Sequence, residues 1–238
     1  VVNMKKGTLY LIPSFLGESS INDVFPIVNR EIISRIKYFV VEEIRTARRF
    51  LKKVCPNITI DSLTFILYNE HSSPGNASAC LEPLFRGQDV GVISEAGVPC
   101  VADPGSLVVR MAHESGIRVV PLVGPSSLLL ALMASGFNGQ HFVFHGYLPI
   151  DKPARTMRLR ELEQDIYKKD QTQIFIETPY RNLQLFQTII ETCRGSTLLC
   201  LAISLTTTEE RIITLSVKEW KKKKPDLNKK PTVFLLYR

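Results

Sequence analysis

The sequence predicts a two-domain α/β protein, with a mostly parallel sheet in the first domain and a mixed sheet in the second. Three observations carry that expectation. In the first half, short runs of β-branched and aromatic residues alternate with helical stretches, the rhythm of a parallel sheet covered on both faces. At Val123-Gly124-Pro125-Ser126-Ser127 the rhythm breaks. Further on, three strand-like runs follow one another mostly without helices between them, as antiparallel neighbours do. The expected domains are therefore 1–122 and 123–238, and 238 residues suffice for two cores.

The elements follow in order. Thr8 to Ile12 is a short β-rich run. A helix is expected over Pro26 to Ile36, since Pro is tolerated in a first turn. Tyr38 to Val41 reads as a buried strand, and Arg45 to Val54 as a helix with apolar residues spaced for one face. Thr64 to Leu67 is a third strand, and Asn76 can cap a helix running to about Phe85. Val90 to Ile93 is a fourth strand. Ser106 to Glu114 is helical and ends at Gly116, a residue suited to the left-handed turn past a helix. Arg118 to Leu122 is a fifth strand, and Leu128 to Ser135 a helix. In the second half, His141 to Tyr147 and Thr172 to Ile176 read as strands. Ala154 to Lys169 and Arg181 to Cys193 read as helices. Leu198 to Ile203, Arg211 to Val217 and Thr232 to Tyr237 complete the strands.

Composition narrows the class. No apolar run approaches the roughly 18 residues a membrane span needs, and the chain opens on a strand rather than a secretory leader. Five cysteines without a CxxC pair argue against a disulfide framework or a zinc site, so a cytoplasmic protein with reduced thiols and no metal is expected. The net charge of +7 suits an anionic partner, RNA among them. Lys221 to Lys224 with Lys229 and Lys230 supply six of those charges, so without them the balance is about +1 by subtraction. A solvated lysine-rich loop explains this as well as an RNA contact does.

Ligands of parallel sheets bind beyond the carboxyl ends of the strands, so the loops there are the candidate site. The first strand leads into Pro13-Ser14-Phe15-Leu16-Gly17-Glu18, which is not the GxGxxG fingerprint of a dinucleotide site. The second leads into Glu42-Glu43-Ile44-Arg45, where two carboxylates and a guanidinium could move a proton or simply complement a helix dipole. The third leads to His71, suited to proton transfer near neutral pH. The fourth opens Ser94 to Gly105, in which two Gly-and-Pro turns flank a short apolar segment, with carboxylates at Glu95 and Asp103. An ordinary helix cap accounts for Asp103-Pro104-Gly105 but not for Glu95-Ala96-Gly97-Val98-Pro99. The fifth ends in Gly124-Pro125-Ser126-Ser127 before a helix, where backbone N–H groups can hold a polar ligand. Later, Glu177-Thr178-Pro179-Tyr180-Arg181 joins a strand to a helix and places a carboxylate beside an arginine.

Taken together, the order and spacing of these loops resemble the tetrapyrrole (corrin/porphyrin) methylases, and within them the branch that methylates a ribose 2′-hydroxyl of small-subunit ribosomal RNA. The branch carries TPIGN where Pro13 to Glu18 stand, and AEDTR where Glu42 to Arg45 stand. Its SDAGTPxxxDPG loop corresponds to Ser94 to Gly105, and its VPLPGPSA element to Val120 to Ser127. A GFLP segment and a basic helix match Gly146 to Pro149 with Lys152, Arg155 and Arg158; a YEsPHR turn matches Ile176 to Arg181. The match runs from about Leu9 to Tyr237.

The resemblance implies a homodimeric tetrapyrrole-methylase-like fold with S-adenosyl-L-methionine in the cleft between the domains. Cofactor contacts are implied for Pro13, Gly97, Val98, Pro99, Ser126, Ser127, Glu177, Thr178 and Thr232. Glu43 and Arg45 are the expected catalytic pair, and His71, Glu95 and Arg181 the expected substrate contacts. Several positions depart from the pattern. Glu replaces Asp at 43 and 95, Val98 replaces Thr, and Tyr180 replaces His. Ala202 to Thr208 replaces the branch's RELTK segment. Three functions therefore compete: methylation of ribosomal RNA or the small ribosomal subunit, methylation of a tetrapyrrole or other small molecule, and a non-catalytic module that binds the cofactor. The Arg155, Arg158 and Arg160 helix favours the first.

Overall fold

The computed structural model describes residues 5–69 and 71–238; Glu70, beside His71, lies outside the described residues. The chain divides after Ser126 into two compact units.

In the first unit, β1 (Thr8–Ile12), β2 (Tyr38–Val41), β3 (Thr64–Leu67), β4 (Val90–Ile93) and β5 (Arg118–Pro121) form one sheet in the order β3-β2-β4-β1-β5. Every pairing is parallel. Side chains alternate along each strand, so each strand serves two cores. Ile12, Phe39 and Val41 pack with Ile33 of α2 (Ile27–Ile33) and with Phe50, Leu51 and Val54 of α3 (Ile44–Val54). Leu9, Val40, Val90 and Val92 pack instead with Leu81 and Leu84 of α4 (Pro74–Phe85) and Val108 and Ala112 of α5 (Ser106–Glu114). The central strand β4 is buried throughout. Its Gly91 has no space for a side chain, because an added Cβ would lie 2.5 Å from Ile12 Cδ1.

The strands stand where the sequence predicts them, within a residue at their ends. The helices differ more. The one expected over Pro26 to Ile36 stops at Ile33. Arg35 and Ile36 donate instead to Ile32 and Ile33, tightening the chain into turns that feed β2. A one-turn helix, α1 (Ile21–Val24), precedes it without a clear apolar period to announce it. Asn76 is not the cap expected of it. The helix opens at Pro74 with Ser73 in extended conformation before it, the arrangement that proline's fixed φ favours.

In the second unit, β6 (Phe142–Tyr147), β7 (Thr172–Ile176), β8 (Leu198–Ile203), β9 (Arg211–Ser216) and β10 (Thr232–Tyr237) lie in the order β6-β7-β10-β8-β9. Only β6 and β7 pair in parallel; the other pairs are antiparallel. This is the mixed sheet that the strand-rich second half predicts. The core gathers Phe175 and Phe234, stacked at 6.0 Å, with Leu159 and Leu162 of α7 (Lys152–Lys169) and Leu185 and Ile189 of α8 (Asn182–Thr192). The unit also holds α6 (Ser127–Ser135) and a single turn, α9 (Val217–Trp220). The strand expected to run on to Val217 stops one residue earlier. A Ser216–Glu219 capping box ends it and opens the turn, and buried Trp220 donates its Nε1–H to the Leu199 carbonyl at 2.9 Å.

Between α7 and the β6–β7 edge runs a chain of polar side chains with one sense throughout. Arg158 donates to His145 Nδ1 at 3.2 Å, so the imidazole proton is on Nε2, which donates to Gln173 Oε1 at 2.7 Å. Gln173 then donates to Gln171 Oε1 at 3.1 Å, and Gln171 to His141 Nε2 at 2.9 Å. His141 Nδ1 donates to the Lys169 carbonyl at 3.0 Å. Burial holds the His145 imidazole below its ordinary range, an effect that Gln173 opposes and Arg158 reinforces.

Candidate functional site

In the first unit, β1 and β4 are neighbours, so the loops leaving their carboxyl ends meet. The Ser14 N–H donates to the Gly97 carbonyl at 2.8 Å, and Ser94 N–H to the Ile12 carbonyl at 3.3 Å. The loop after β5 closes on the same point. A Cβ added to Gly124 would lie 2.2 Å from Pro13 Cγ, so only glycine permits that approach. Pro13, Gly97, Pro99 and Pro125 are buried in this junction, while Val98 and Ser126 stand half-exposed at its rim.

The loop from Gly97 to Gly105 is held in unusual backbone conformations. Gly97 and Gly105 have φ of 75° and 121°, and Cys100 and Ala102 have φ of 67° and 56°. Each of the latter two costs about 1–2 kcal/mol in a conformation that L-residues avoid. Strain of this kind concentrates where a backbone must present groups to a ligand. Cys100, within it, is pushed up to about 11 by burial and by Asp103, so its thiol is not a nucleophile at neutral pH.

Ser14 is 4% exposed, and its hydroxyl has no hydrogen-bond partner. A buried hydroxyl without a partner costs about 1–3 kcal/mol, which a bound polar ligand would recover. It borders a hollow of about 220 Å³ lined also by Phe15, Thr46, Phe50, Ile93 and Glu95, with Arg49 and Lys53 at the helix α3 side.

The first turn of α3 brings together Glu43, Arg45 and Glu95. Glu43 is the N-cap: its Oε1 accepts from the Arg45 N–H at 2.9 Å. Thr46 Oγ1 lies 2.7 Å from Glu95 Oε1 and 2.9 Å from the Glu43 carbonyl. With one proton to give, it ties the β4 loop to the helix. Two carboxylates at this end suit the helix dipole. His71 stands apart. It follows the edge strand β3, two strands from β4 in the sheet order, or about 10 Å at the usual strand spacing.

In the second unit, Glu177 and Arg181 form one group. Glu177 Oε1, with the side chain 2% exposed, accepts from the Thr178 N–H at 2.6 Å and from Arg181 Nη2 at 2.7 Å. The arginine's Nε is buried without a partner, and the hydrogen bond to Glu177 pushes its pKa up. Beside it, Asn182 is fully buried. Its Nδ2 donates to the Lys230 carbonyl at 2.7 Å, and its Oδ1 is unpartnered. Thr232 is buried and donates to that same carbonyl at 3.0 Å. Ser127 begins α6, half-exposed.

The basic helix expected to meet RNA is not the surface it resembles in sequence. Arg155 is 5% exposed and donates to Thr188 Oγ1 at 3.2 and 3.1 Å and to the Pro149 and Ile150 carbonyls at 3.3 and 2.7 Å. It fastens α7 to α8. Arg158 is engaged by Glu161 and His145, leaving Arg160 exposed. Ser14, Thr46 and Asn182 have no role predicted from the sequence. Each acquires one only through a partner or hollow brought near by folding. Among the described residues, no group of three or more His, Cys, Asp or Glu could hold a metal ion, and no helix is long and apolar enough to cross a membrane.

Comparison with known proteins adds a family. The model of the Tetrapyrrole (Corrin/Porphyrin) Methylases matches residues 30–221. Two relatives named ribosomal RNA small subunit methyltransferase I, from Vibrio cholerae and Escherichia coli O157:H7, are each 31% identical to this chain. The matches cover 86% and 87% of this chain and 67% and 68% of those proteins. Among solved structures, the methyltransferase CobJ is similar with a TM-score of 0.65 at 19% identity, covering 98% of this chain and 94% of that one. A uroporphyrin-III C-methyltransferase from Thermus thermophilus, complexed with S-adenosylhomocysteine, gives 0.56 at 14% identity over 98% of each chain. At such identities the structural likeness speaks for the fold.

Proposed function

The chain belongs to the tetrapyrrole methylase family, and from that premise we propose that it is an S-adenosylmethionine-dependent methyltransferase acting on a ribose 2′-hydroxyl of small-subunit ribosomal RNA. The observation that carries the acceptor class is the 31% identity, over most of this chain, to proteins named for that RNA. A cytoplasmic homodimer accords with such an acceptor and with the family resemblance.

The residues present fit the cofactor. In the second unit Asn182 Oδ1 is a buried polar atom with no partner, and a polar ligand would satisfy it. The proposed cofactor contacts of the first unit are Pro13, Gly97, Val98, Pro99 and Ser126, and those of the second are Ser127, Glu177, Thr178 and Thr232. The close approaches at Gly97 and Gly124 hold the loops after β1, β4 and β5 against one another. When bound, S-adenosylmethionine supplies the electrophilic methyl group.

The protein's own residues must align the hydroxyl and take its proton. In this reading Glu43 takes that proton, with Arg45 beside it. Its carboxylate is fixed by the Arg45 N–H, so it does not have to be ordered when substrate arrives. Glu95, restrained by Thr46, would orient the acceptor, with Arg181 proposed as a further substrate contact and His71 left out of it by its place beyond the edge strand. Glu43→Gln keeps an oxygen for the cap and removes the base. Turnover should fall by about 10²-fold or more with cofactor affinity unchanged. Unchanged turnover would remove Glu43 from the chemistry.

The function is tested by incubating the protein with methyl-labelled S-adenosylmethionine and unmethylated small ribosomal subunits, then hydrolysing the RNA in alkali. Label in an alkali-resistant dinucleotide is the expected result, because a methylated 2′-oxygen cannot attack the neighbouring phosphate. Label released as mononucleotide would place the methyl on a base, and label absent from RNA would point to a small-molecule acceptor.

A further inference from the structure

Helix α3 separates its residues by charge. At 3.6 residues per turn, Arg45, Arg48, Arg49, Lys52 and Lys53 fall within an arc of about 140°, and Ile44, Ala47, Phe50, Leu51 and Val54 fall on the opposite side. All five cations are exposed. They extend about 12 Å along the axis, at 1.5 Å per residue. Such a face is often no more than solvated surface, and three of its members have partners, Lys53 Nζ donating to the Ser19 carbonyl at 3.1 Å. Arg48 pairs with exposed Asp61 at 2.7 Å, and Lys52 Nζ donates to the Pro56 and Ile58 carbonyls at 3.2 and 2.9 Å.

Arg49 and Lys53 are different, because they border the hollow beyond β1 and β4. Its floor is aromatic, with half-buried Phe15 and buried Phe50 at 5.8 Å from each other, and Lys53 Nζ lies 4.2 Å from the centre of the Phe15 ring. Its wall includes the buried, unpartnered Ser14 hydroxyl. Cations beside aromatic rings and a hydrogen-bonding group are what a single-stranded nucleic acid uses: rings receive a base, cations the phosphates. The volume of about 220 Å³ falls below the ~300–1,000 Å³ of pockets that enclose whole small ligands. It suits one unit of a longer molecule better than a macrocycle.

We propose that the basic face of α3 is the acceptor-gripping surface: Arg49, Lys53, Phe15 and Ser14 seat one nucleotide of unpaired RNA, and Arg45, Arg48 and Lys52 neutralise the flanking phosphates. This rests on the RNA reading above and moves its basic surface from α7 to α3.

The test is fluorescence anisotropy of a labelled single-stranded oligoribonucleotide across a salt series, with calorimetric titration of S-adenosylhomocysteine on the same proteins. Wild type should bind RNA with an affinity that falls linearly in log–log terms with salt. Arg49→Gln with Lys53→Gln should weaken RNA binding about tenfold or more at low salt. It should also flatten the slope by about 1.4, at ~0.7 for each single-strand phosphate that is no longer neutralised. S-adenosylhomocysteine affinity should not change, and the variant should stay folded at the assay temperature with a midpoint lowered only by the lost Lys53 contacts to Phe15 and Ser19. Arg160→Gln, on α7, should leave the slope as in wild type. If the α3 double variant binds RNA with the wild-type slope, the proposal is overturned while the RNA reading stands. If wild type binds S-adenosylhomocysteine but no RNA at any salt, the RNA reading fails and takes the proposal with it.

Discussion

Gly124→Ala tests how the three loops of the first unit are built. The added Cβ would sit 2.2 and 2.5 Å from Pro13 Cγ and Cβ, where ordinary contact is 3.4–4 Å. The loops after β1 and β5 must therefore separate by about 1 Å or more. Gly124 is not among the glycines with positive φ, so its backbone suits alanine and the whole effect is steric. Overpacking of this kind costs ~1–3 kcal/mol. If the loops resist, the cost appears as a lower unfolding midpoint. If they yield, Pro13 moves, and the same energy appears in ligand binding as an affinity loss of about 5- to 150-fold. Calorimetric titration with S-adenosylhomocysteine and thermal unfolding read the two outcomes separately. A variant that keeps both wild-type affinity and midpoint would refute the claim that Gly124 and Pro13 form part of the cofactor site's frame.

Glu177→Gln should destabilise the second unit by about 1–2 kcal/mol, the range for a charge-assisted hydrogen bond discounted because Arg181 is a third exposed; an unchanged urea midpoint would contradict it. Arg155→Ala removes hydrogen bonds to Thr188 and two carbonyls and should cost about 2–4 kcal/mol. A folded, undiminished Arg155→Ala protein with weakened RNA binding would restore α7 as the RNA surface. His145 has a folded-state pKa below its ordinary 6.5. The unfolded chain therefore binds the proton first, and stability present above pH 6.5 should decline as pH falls through the lowered value. His145→Gln should flatten that decline in urea titrations between about pH 7 and 5; an identical slope would remove His145 as its source.

Much of this was legible in the sequence, for identifiable reasons. The strands of the first unit are short apolar runs bounded by Gly, Pro and polar residues, so their limits are local. The loops holding Pro13, Gly97 and Ser126 announced themselves because Gly and Pro at strand ends serve backbone geometry that ordinary residues cannot. What stayed hidden depends on distant partners. Thr46 meets Glu95 across 49 residues, and Ser14 meets Gly97 through backbone atoms that carry no side-chain signal. Arg155 misled because arginine is seldom fully buried; only the carbonyls left at the start of α7, with Thr188 opposite, give it an interior role. The α3 face was visible in principle. Its apolar period identified the helix, and the same period places five cations together on the other side.

The central claim is that these loops hold S-adenosylmethionine, and calorimetric titration of the purified protein with S-adenosylmethionine and S-adenosylhomocysteine tests it most directly. Saturable binding of one molecule per chain is the predicted result. No heat and no saturation with either ligand would contradict that claim, and would mean that Glu95 and Val98 have changed loops whose fold is otherwise retained.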